Sequence, residues 1–185
     1  MKLEPIEFPL KDGRKAVLRC PEERDIPGLL DYLRVSAGET DYIMRTPEEC
    51  GKFTPEGEAA WIKDKNASHN EAALVCEVDG KIAGNCEISF FKPMKIRHRG
   101  TVAIALISEF WGQGIGTKMF ETMIGLAERR EGITQLELDF VEGNTRARAL
   151  YEKMGFRIVS VLPNAFHLKD GRVLGEYKMI REIKR

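Results

Sequence analysis

The sequence predicts a single mixed α/β (α+β) domain, residues 1–185, and three observations carry that prediction. Three Asp-Gly pairs, Asp12-Gly13, Asp79-Gly80 and Asp170-Gly171, each precede a Lys or Arg and a strand-like run. Asp-Gly tolerates the positive φ values of a two-residue β-hairpin turn, so each pair predicts a hairpin. Other stretches repeat apolar residues at the 3.6-residue period of helices. In the second half of the chain, strand-like and helical segments alternate, which implies a mixed sheet with helices packed on it.

The elements follow in order. A strand after Gly13 leads to a helix opening near Asp25, with Ile26, Leu29, Leu30 and Leu33 at i, i+3, i+4 and i+7. Pro27 fits there because the first helical turn has no use for its missing N–H. A second helix follows Thr54-Pro55, with Thr54 as N-cap and Ala60, Trp61 and Ile62 on it. Ala72 to Val78 and Lys81 to Phe91 flank the central Asp-Gly as a hairpin. Thr101 to Ile107 is apolar without alternation, the pattern of a strand buried on both faces. After the glycine-rich Ser108 to Gly116, Thr117 to Arg130 reads as a helix with Met119, Phe120, Met123, Ile124 and Ala127 on one stripe. In Gln135 to Phe140, Leu136, Leu138 and Phe140 face one way and Glu137 and Asp139 the other. Asn144 to Met154 is a short helix, apolar at Ala147, Leu150, Tyr151 and Met154 and closed by Gly155. Phe156 to Leu162 and Val173 to Ile183 are the last strands.

Composition narrows the function classes. A chain of 185 residues buries a core without disulfides or metal. Lys+Arg and Asp+Glu are both 29, so no net charge draws the protein to nucleic acid or an anionic membrane, and neither is expected as a partner. No apolar run approaches the length of a membrane span. Met1 to Leu10 lacks the basic start and apolar stretch of a signal peptide, so the expected compartment is the cytoplasm. Cys20, Cys50, Cys76 and Cys86 show no metal-ligand spacing, and no metal is expected. Cys76 and Cys86 sit in apolar strands as small hydrophobes; Cys50 is expected in a polar loop.

The chemistry is concentrated in Trp111-Gly112-Gln113-Gly114-Ile115-Gly116-Thr117, between a buried strand and a helix. Glycines there turn the backbone tightly and present consecutive N–H groups, and the helix N-terminus adds unpaired donors and partial positive charge. That is a site for phosphate oxygens, or alternatively an ordinary strand–helix turn. Two nucleotide motifs fail on spacing. A dinucleotide fingerprint, Gly-x-Gly-x-x-Gly, needs its third glycine where Thr117 stands, and a P-loop needs Gly-Lys-Ser/Thr where the chain has Gly116-Thr117-Lys118.

The stretch from Ala103 through Phe156 resembles the GCN5-related N-acetyltransferase (GNAT) family, which uses acetyl-coenzyme A. The family's signature, Gln/Arg-x-x-Gly-x-Gly/Ala, lies between its fourth strand and the next helix. Gly114 and Gly116 match its small positions, and Trp111 stands at the Gln/Arg position, which removes a side-chain donor but leaves the backbone cradle. An aromatic residue there resembles a branch that modifies protein N-termini, polyamines and other amines. A second family pattern, Asn-x-x-Ala-x-x-x-Tyr-x-x-x-Gly-Phe, is carried by Asn144, Ala147 (Ala149 if the register shifts), Tyr151, Gly155 and Phe156. The resemblance spans roughly residues 14 to 182 and is dense over 101–156.

The resemblance implies a GNAT-like fold: a mixed, mostly antiparallel central sheet of about seven strands flanked by about four helices. It also implies roles. Backbone N–H groups from Gly112 to Thr117 (Trp111, Gly112, Gln113, Gly114, Ile115, Gly116 and Thr117 forming the loop) would hold the pyrophosphate of coenzyme A, and the backbone of Leu106 and Ile107 would pair with the pantetheine arm like an added strand. Asn144 would bind the arm or the cofactor amide while also capping its helix, one role for each end of its amide. Tyr151 would be the general acid that protonates the departing thiolate; its other reading is a core aromatic. The reaction implied is direct attack of a neutral amine on the thioester, with backbone N–H groups stabilising the oxyanion.

An alkylammonium must first lose a proton, and Glu87, Glu109, Glu137 and His98 are the candidate bases, each of which reads equally as a surface charge. His98 lies in the basic run Lys95-Ile96-Arg97-His98-Arg99, a solvated strand entry or a phosphate contact. The region of Ser36 to Cys50, with Glu39, Asp41, Glu48 and Glu49, lines the acceptor site in related enzymes, where an acidic wall suits a cationic amine; its other reading is a solvated loop, and Tyr42 and Met44 would add apolar contacts or pack against the core. The expected function is therefore an acetyl-CoA-dependent N-acetyltransferase acting on a small amine or peptide N-terminus, with a homodimer as one candidate assembly. A non-catalytic acetyl-CoA-binding sensor or regulatory module is the alternative, and a nucleotide-binding domain on the same glycine loop is a third reading.

Overall fold

The computed structural model describes residues 1–183. Its strands are β1 (Ile6–Pro9), β2 (Lys15–Arg19), β3 (Glu71–Val78), β4 (Lys81–Phe90), β5 (Arg99–Leu106), β6 (Gln135–Val141), β7 (Arg157–His167) and β8 (Val173–Glu182). The helices are α1 (Ile26–Gly38), α2 (Pro47–Cys50), α3 (Pro55–Ala67), α4 (Ile115–Arg129) and α5 (Thr145–Lys153). The strands form one sheet in the order β1-β2-β3-β4-β5-β6-β8-β7. β5 and β6 run parallel, and the other described ladders are antiparallel.

Two elements exceed the expectation. β1 is the eighth strand, with Pro9 paired to Lys15 at the sheet's edge, where a residue without an N–H forfeits no ladder bond. α2 is a single turn held by a capping box. Thr46 Oγ1 accepts from the Glu49 N–H and the Glu49 carboxylate accepts from the Thr46 N–H, with Pro47 at the first helical position. That turn buries Cys50, correcting the expectation of a cysteine in a polar loop; burial raises its thiol pKa. On α3 the expected cap is present, Thr54 accepting from the Gly57 N–H, but Ile62 alone of the three expected apolar residues is fully buried and Ala60 faces solvent.

The Asp-Gly turns differ from one another. At Asp79 (φ 50°) and Gly80 (φ 78°) both residues are left-handed, and Val78 pairs with Lys81 in a two-residue turn. The other two are three-residue loops. Gly13 (φ 90°) and Gly171 (φ 89°) take the left-handed position, and the ring closes through Leu10 N–H to Arg14 O and Leu168 N–H to Arg172 O, both near 2.9 Å (2.8 and 2.9 Å). In each, the Asp carboxylate accepts from the backbone N–H of the following Arg.

The contacts group into two compact units. The first comprises Met1–Ser89 and Ala103–Met119; the second comprises Phe90–Val102 and the chain from Phe120 onward. The first unit is built on β2, β3 and β4, whose inward residues Ala16, Leu18, Leu74, Cys76, Ile82, Cys86 and Ile88 are fully buried. Arg19 at the end of β2 is buried in it. Its guanidinium donates to both Asp25 oxygens (2.6 and 2.7 Å) and to Glu77. Burial alone would raise the Asp25 carboxyl, but the Arg19 guanidinium and the Glu22 N–H outweigh it and hold the pKa below the ordinary value. Arg19→Met is expected to destabilise the fold by about 3–5 kcal/mol, measured by urea unfolding, because it strands a buried carboxylate. Because the folded-state pKa of Asp25 is depressed, the pair's contribution is present at neutral pH. It is lost as pH falls through the folded pKa, and acid unfolding of Arg19→Met is expected to lack that component.

The second unit packs an aromatic cluster. Phe120 meets Tyr151 (5.4 Å) and Phe156 (5.6 Å) edge-on, and Phe140 meets Tyr151 (5.6 Å) edge-on and stacks on Tyr177 (5.3 Å). The α4 stripe Met119, Phe120, Met123, Ile124 and Ala127 is buried throughout, as its spacing predicts. Glu137 departs from the expected outward polar face. It is 2% exposed, chelated by Arg99 Nη2 (2.7 and 2.8 Å) and approached by Lys178 (3.6 Å). Two cations across neighbouring strands make its burial tolerable, a compensation that alternation within one strand does not reveal.

Candidate functional site

In the first unit, the end of β5 departs from the buried-strand expectation. Ala103 is exposed and Ile104, Ala105 and Leu106 are half-buried, which leaves apolar strand surface open to solvent. The hydrogen bonds of this end are specific. Ile107 N–H donates to Ala83 O (3.0 Å), and Ile107 O accepts from Phe110 N–H (3.1 Å). Leu106 O accepts from Trp111 Nε1 (2.9 Å), so the side chain at the signature's first position braces the loop against the strand instead of reaching outward. Gly84 on β4 permits this approach. A Cβ there would overlap Leu106 Cδ2 and the Ala105 carbonyl oxygen and stand 3.0 Å from Leu106 Cα.

A short 3-10 turn, Ser108–Phe110, follows. Ser108 donates from both N–H (2.6 Å) and Oγ (2.7 Å) to the Glu39 carboxylate, so one member of the expected acidic wall holds the loop's start. Phe110 is buried beneath the Arg14 guanidinium (5.2 Å) and anchors the turn. Gly112 (φ 77°) and Gly114 (φ 95°) are left-handed, with nothing within 4 Å of where a Cβ would stand. The helix begins at Ile115, two residues earlier than its apolar pattern predicts, and the Lys118 N–H bonds Gly114 O. The N–H groups ahead of it have no partner within the helix, as at any helix start. Gln113 turns away from the loop's mouth, its Oε1 accepting from the Asp12 N–H (3.2 Å). A glycine turn ahead of a helix N-terminus, with open space in front of two of its glycines, is an arrangement that can receive an anion.

In the second unit, Asn144 caps α5, its Oδ1 accepting from the Ala147 N–H (3.2 Å), which leaves its Nδ2 without a partner among the described residues. Ala147 lies on the inner side of α5 and Ala149 is exposed, which settles the register. The helix ends in a Schellman motif. Phe156 N–H donates to Tyr151 O (2.9 Å) and Gly155 N–H to Glu152 O (3.0 Å), with Gly155 at φ 82°. The motif therefore ties down the backbone of Tyr151 itself. The Tyr151 ring is buried at 7% exposure, and its hydroxyl has no hydrogen-bond partner among the described residues. Burial lifts its pKa to about 12.

The candidate bases are dispersed. Glu87 is ion-paired with Lys65 (2.8 Å), Glu109 with Lys81, and Glu137 with Arg99, while His98 is exposed in a turn whose carbonyl accepts from the Thr134 N–H. Tyr42 and Met44 are exposed, Met44 strongly. Two buried polar residues of the first unit escaped the sequence reading. Tyr32 on α1 is buried, with its hydroxyl within hydrogen-bond distance of Asn85 Oδ1 (2.9 Å) and Ala105 O (3.0 Å). Glu58 on α3 is buried, which raises its carboxyl pKa. The helical period marked Tyr32's face but not its partner, and nothing local marks Glu58.

Comparison with known proteins agrees with this geometry. The sequence model of the acetyltransferase (GNAT) family matches residues 40–156. The [ribosomal protein bS18]-alanine N-acetyltransferase of Escherichia coli (strain K12) is 35% identical over 69 residues, which cover 37% of this chain and 46% of that protein; the chain thus spans about half the length of the curated relatives it matches. An acetyltransferase of the GNAT family from Streptococcus pneumoniae superposes with a TM-score of 0.83 at 26% identity, over 91% of this chain and 99% of that one. A ribosomal-protein-alanine N-acetyltransferase from Brucella melitensis superposes with a TM-score of 0.75 at 25% identity, over 89% and 98%.

Proposed function

Because the chain belongs to the acetyltransferase (GNAT) family, we propose that it is an acetyl-CoA-dependent N-acetyltransferase that moves an acetyl group directly to a primary amine, either a small-molecule amine or a peptide N-terminus. The observation that carries this reading is the glycine turn between β5 and α4, with open space in front of Gly112 and Gly114. Acetyl-CoA supplies the activated acetyl thioester. The N–H groups of Gly112 to Thr117 bind its pyrophosphate, helped by the positive end of α4. The half-exposed backbone of Ala105 and Leu106 offers the pantetheine arm an edge to pair with. At Ile107 the N–H is already committed to Ala83, so the arm's donors turn to carbonyl oxygens, which carry a second lone pair. Asn144 contributes its Nδ2 while its Oδ1 caps α5.

In the transfer, the amine nitrogen forms a bond to the acetyl carbon and the carbon–sulfur bond breaks. Tyr151 gives its proton to the departing thiolate and regains one from the acylated nitrogen. A hydroxyl with a pKa of about 12 stays protonated through the working range.

The names of the relatives support a peptide N-terminus beginning with alanine as the first acceptor to test. The expected result is calorimetric saturation with acetyl-CoA, followed by free-thiol release that depends on such a peptide or on another amine. A folded protein that takes up no acetyl-CoA overturns the reading. The unpartnered Tyr151 hydroxyl favours turnover over a sensor that only binds. The reading includes the cytoplasm as compartment, no helix among the described residues being long and apolar enough to cross a membrane. It also includes assembly as a homodimer, which the exposed Val159, Val161 and Leu162 on the edge strand β7 support.

A further inference from the structure

Two side chains grip the backbone around Leu106, one carbonyl each. Tyr32 comes from α1. It is 3% exposed, and its hydroxyl lies 3.0 Å from the Ala105 carbonyl oxygen and 2.9 Å from Asn85 Oδ1. Trp111 comes from the turn that follows β5, and its Nε1 donates to the Leu106 carbonyl (2.9 Å). Gly84 on β4 makes room for the first of these contacts, because the Ala105 oxygen stands where a Cβ on Gly84 would overlap it. A glycine on β4 and a buried phenol on α1 thus converge on one carbonyl.

The phenol has one proton, and two oxygens lie within its reach. The Ala105 carbonyl can only accept. The Asn85 amide can do either, since a half-turn exchanges its oxygen and nitrogen. With Nδ2 donating to the Tyr32 oxygen, the phenol proton goes to Ala105 and all three groups are satisfied, as buried polar groups require. Burial raises the pKa of the Tyr32 hydroxyl, so it stays a neutral donor.

The Ala105 carbonyl shares its peptide with the Leu106 N–H. That peptide is trans, so the N–H points away from the phenol. The next two N–H groups are already committed, that of Ile107 to Ala83 O (3.0 Å) and that of Ser108 to the Glu39 carboxylate (2.6 Å), so neither can meet a thioester oxygen. We infer, resting on the acetyl-transfer reading, that Tyr32 is a positioning residue for the reaction: it fixes and polarises the Ala105–Leu106 peptide, whose N–H meets the acetyl oxygen. A hydrogen bond received by an amide carbonyl draws electrons from the nitrogen and strengthens its N–H as a donor, by about 10–30% per bond. Negative charge grows on the acetyl oxygen as the amine adds, so the stronger donor favours the transition state over the bound thioester. Trp111 holds the carbonyl on the other side of Leu106, and the donor has no reorganisation left to make. Tyr32 keeps its proton throughout. The bonds that change are those already described, carbon to nitrogen formed and carbon to sulfur broken.

The test follows the infrared carbonyl band of acetyl-CoA, isotopically labelled at its carbonyl carbon, bound to three proteins: the wild type, Tyr32→Phe, and a protein with a singly ring-fluorinated tyrosine, a more acidic phenol, in place of Tyr32. Relative to wild type, the band should move to higher frequency in Tyr32→Phe and to lower frequency with the fluorinated ring. It needs no acceptor, so it is read whether or not an amine is turned over. Where spermidine or an alanine-initiated tetrapeptide is acetylated, thiol release should slow by about tenfold in Tyr32→Phe, a part of what loss of a whole oxyanion donor costs, and quicken with the fluorinated ring. Acetyl-CoA affinity by calorimetry should stay within about twofold in both. Tyr32→Phe strands a buried carbonyl and lowers the melting temperature whatever the phenol does for catalysis. The fluorinated ring keeps both the bond and the packing, and decides alone if Tyr32→Phe fails to fold. A band that does not move with phenol acidity, a full rate in Tyr32→Phe, or an affinity lost in step with the rate overturns the inference. A wild type that takes up no acetyl-CoA brings down the acetyl-transfer reading; one that takes it up while the band ignores the phenol brings down only the role of Tyr32.

Discussion

Gly114→Glu is expected to abolish saturable acetyl-CoA binding in a chain that still folds. Gly114 has φ 95°, a conformation that costs a side-chain-bearing residue about 1 kcal/mol, but no atom lies within 4 Å of the new Cβ, so nothing in the core is displaced. The new side chain enters the open space where the cradle would receive its anion. Its carboxylate is attracted to the positive end of α4 and so competes with the pyrophosphate for that end of the helix. It also repels the ligand. Like charges about 4 Å apart near a protein surface cost about 4 kcal/mol, close to a thousandfold in affinity. Gly114→Ala is the control, carrying the backbone strain without the charge, and should lose only severalfold. Calorimetry with acetyl-CoA reads both, and wild-type affinity in Gly114→Glu would remove the loop from the binding site.

Tyr151→Phe should do the reverse, leaving acetyl-CoA affinity and melting temperature near wild type while slowing thiol release by about a hundredfold to a thousandfold. The ring is held by edge-on contacts with Phe120 and Phe140, which phenylalanine keeps. The hydroxyl bonds to nothing in the described chain, so its removal costs the fold little. What is lost is the proton donor. Without it the thiolate must leave unprotonated, and the variant should be least impaired with acetyl thioesters of more acidic thiols. A full rate in Tyr151→Phe would return Tyr151 to the core as an ordinary aromatic.

These residues were legible in the sequence because their signals are local. A helix cap, a left-handed glycine after a helix, an apolar stripe and a glycine turn are each set by neighbours within about four residues. Thr54, Gly155, the Met119–Ala127 stripe and the Gly112–Thr117 turn are therefore where the sequence puts them. Even the missed helix α2 was written locally, as Thr46-Pro47-Glu48-Glu49, and only the shortness of the turn hid it.

Partners distant in sequence decided the rest. Glu137 alternates like a surface residue and is buried because Arg99 and Lys178 arrive from neighbouring strands. Cys50 looked exposed and is covered in the tertiary fold. Trp111 occupies a signature position and is spent on the Leu106 carbonyl. Glu58 carries no pattern at all, and its burial shows only in the full set of contacts. By itself the sequence determined the family, the order of elements and the glycine turn, since each depends on short-range backbone chemistry. Only the tertiary structure decided which charges are paired and which strand surface stays open, because burial and ion pairing depend on residues far apart in the chain.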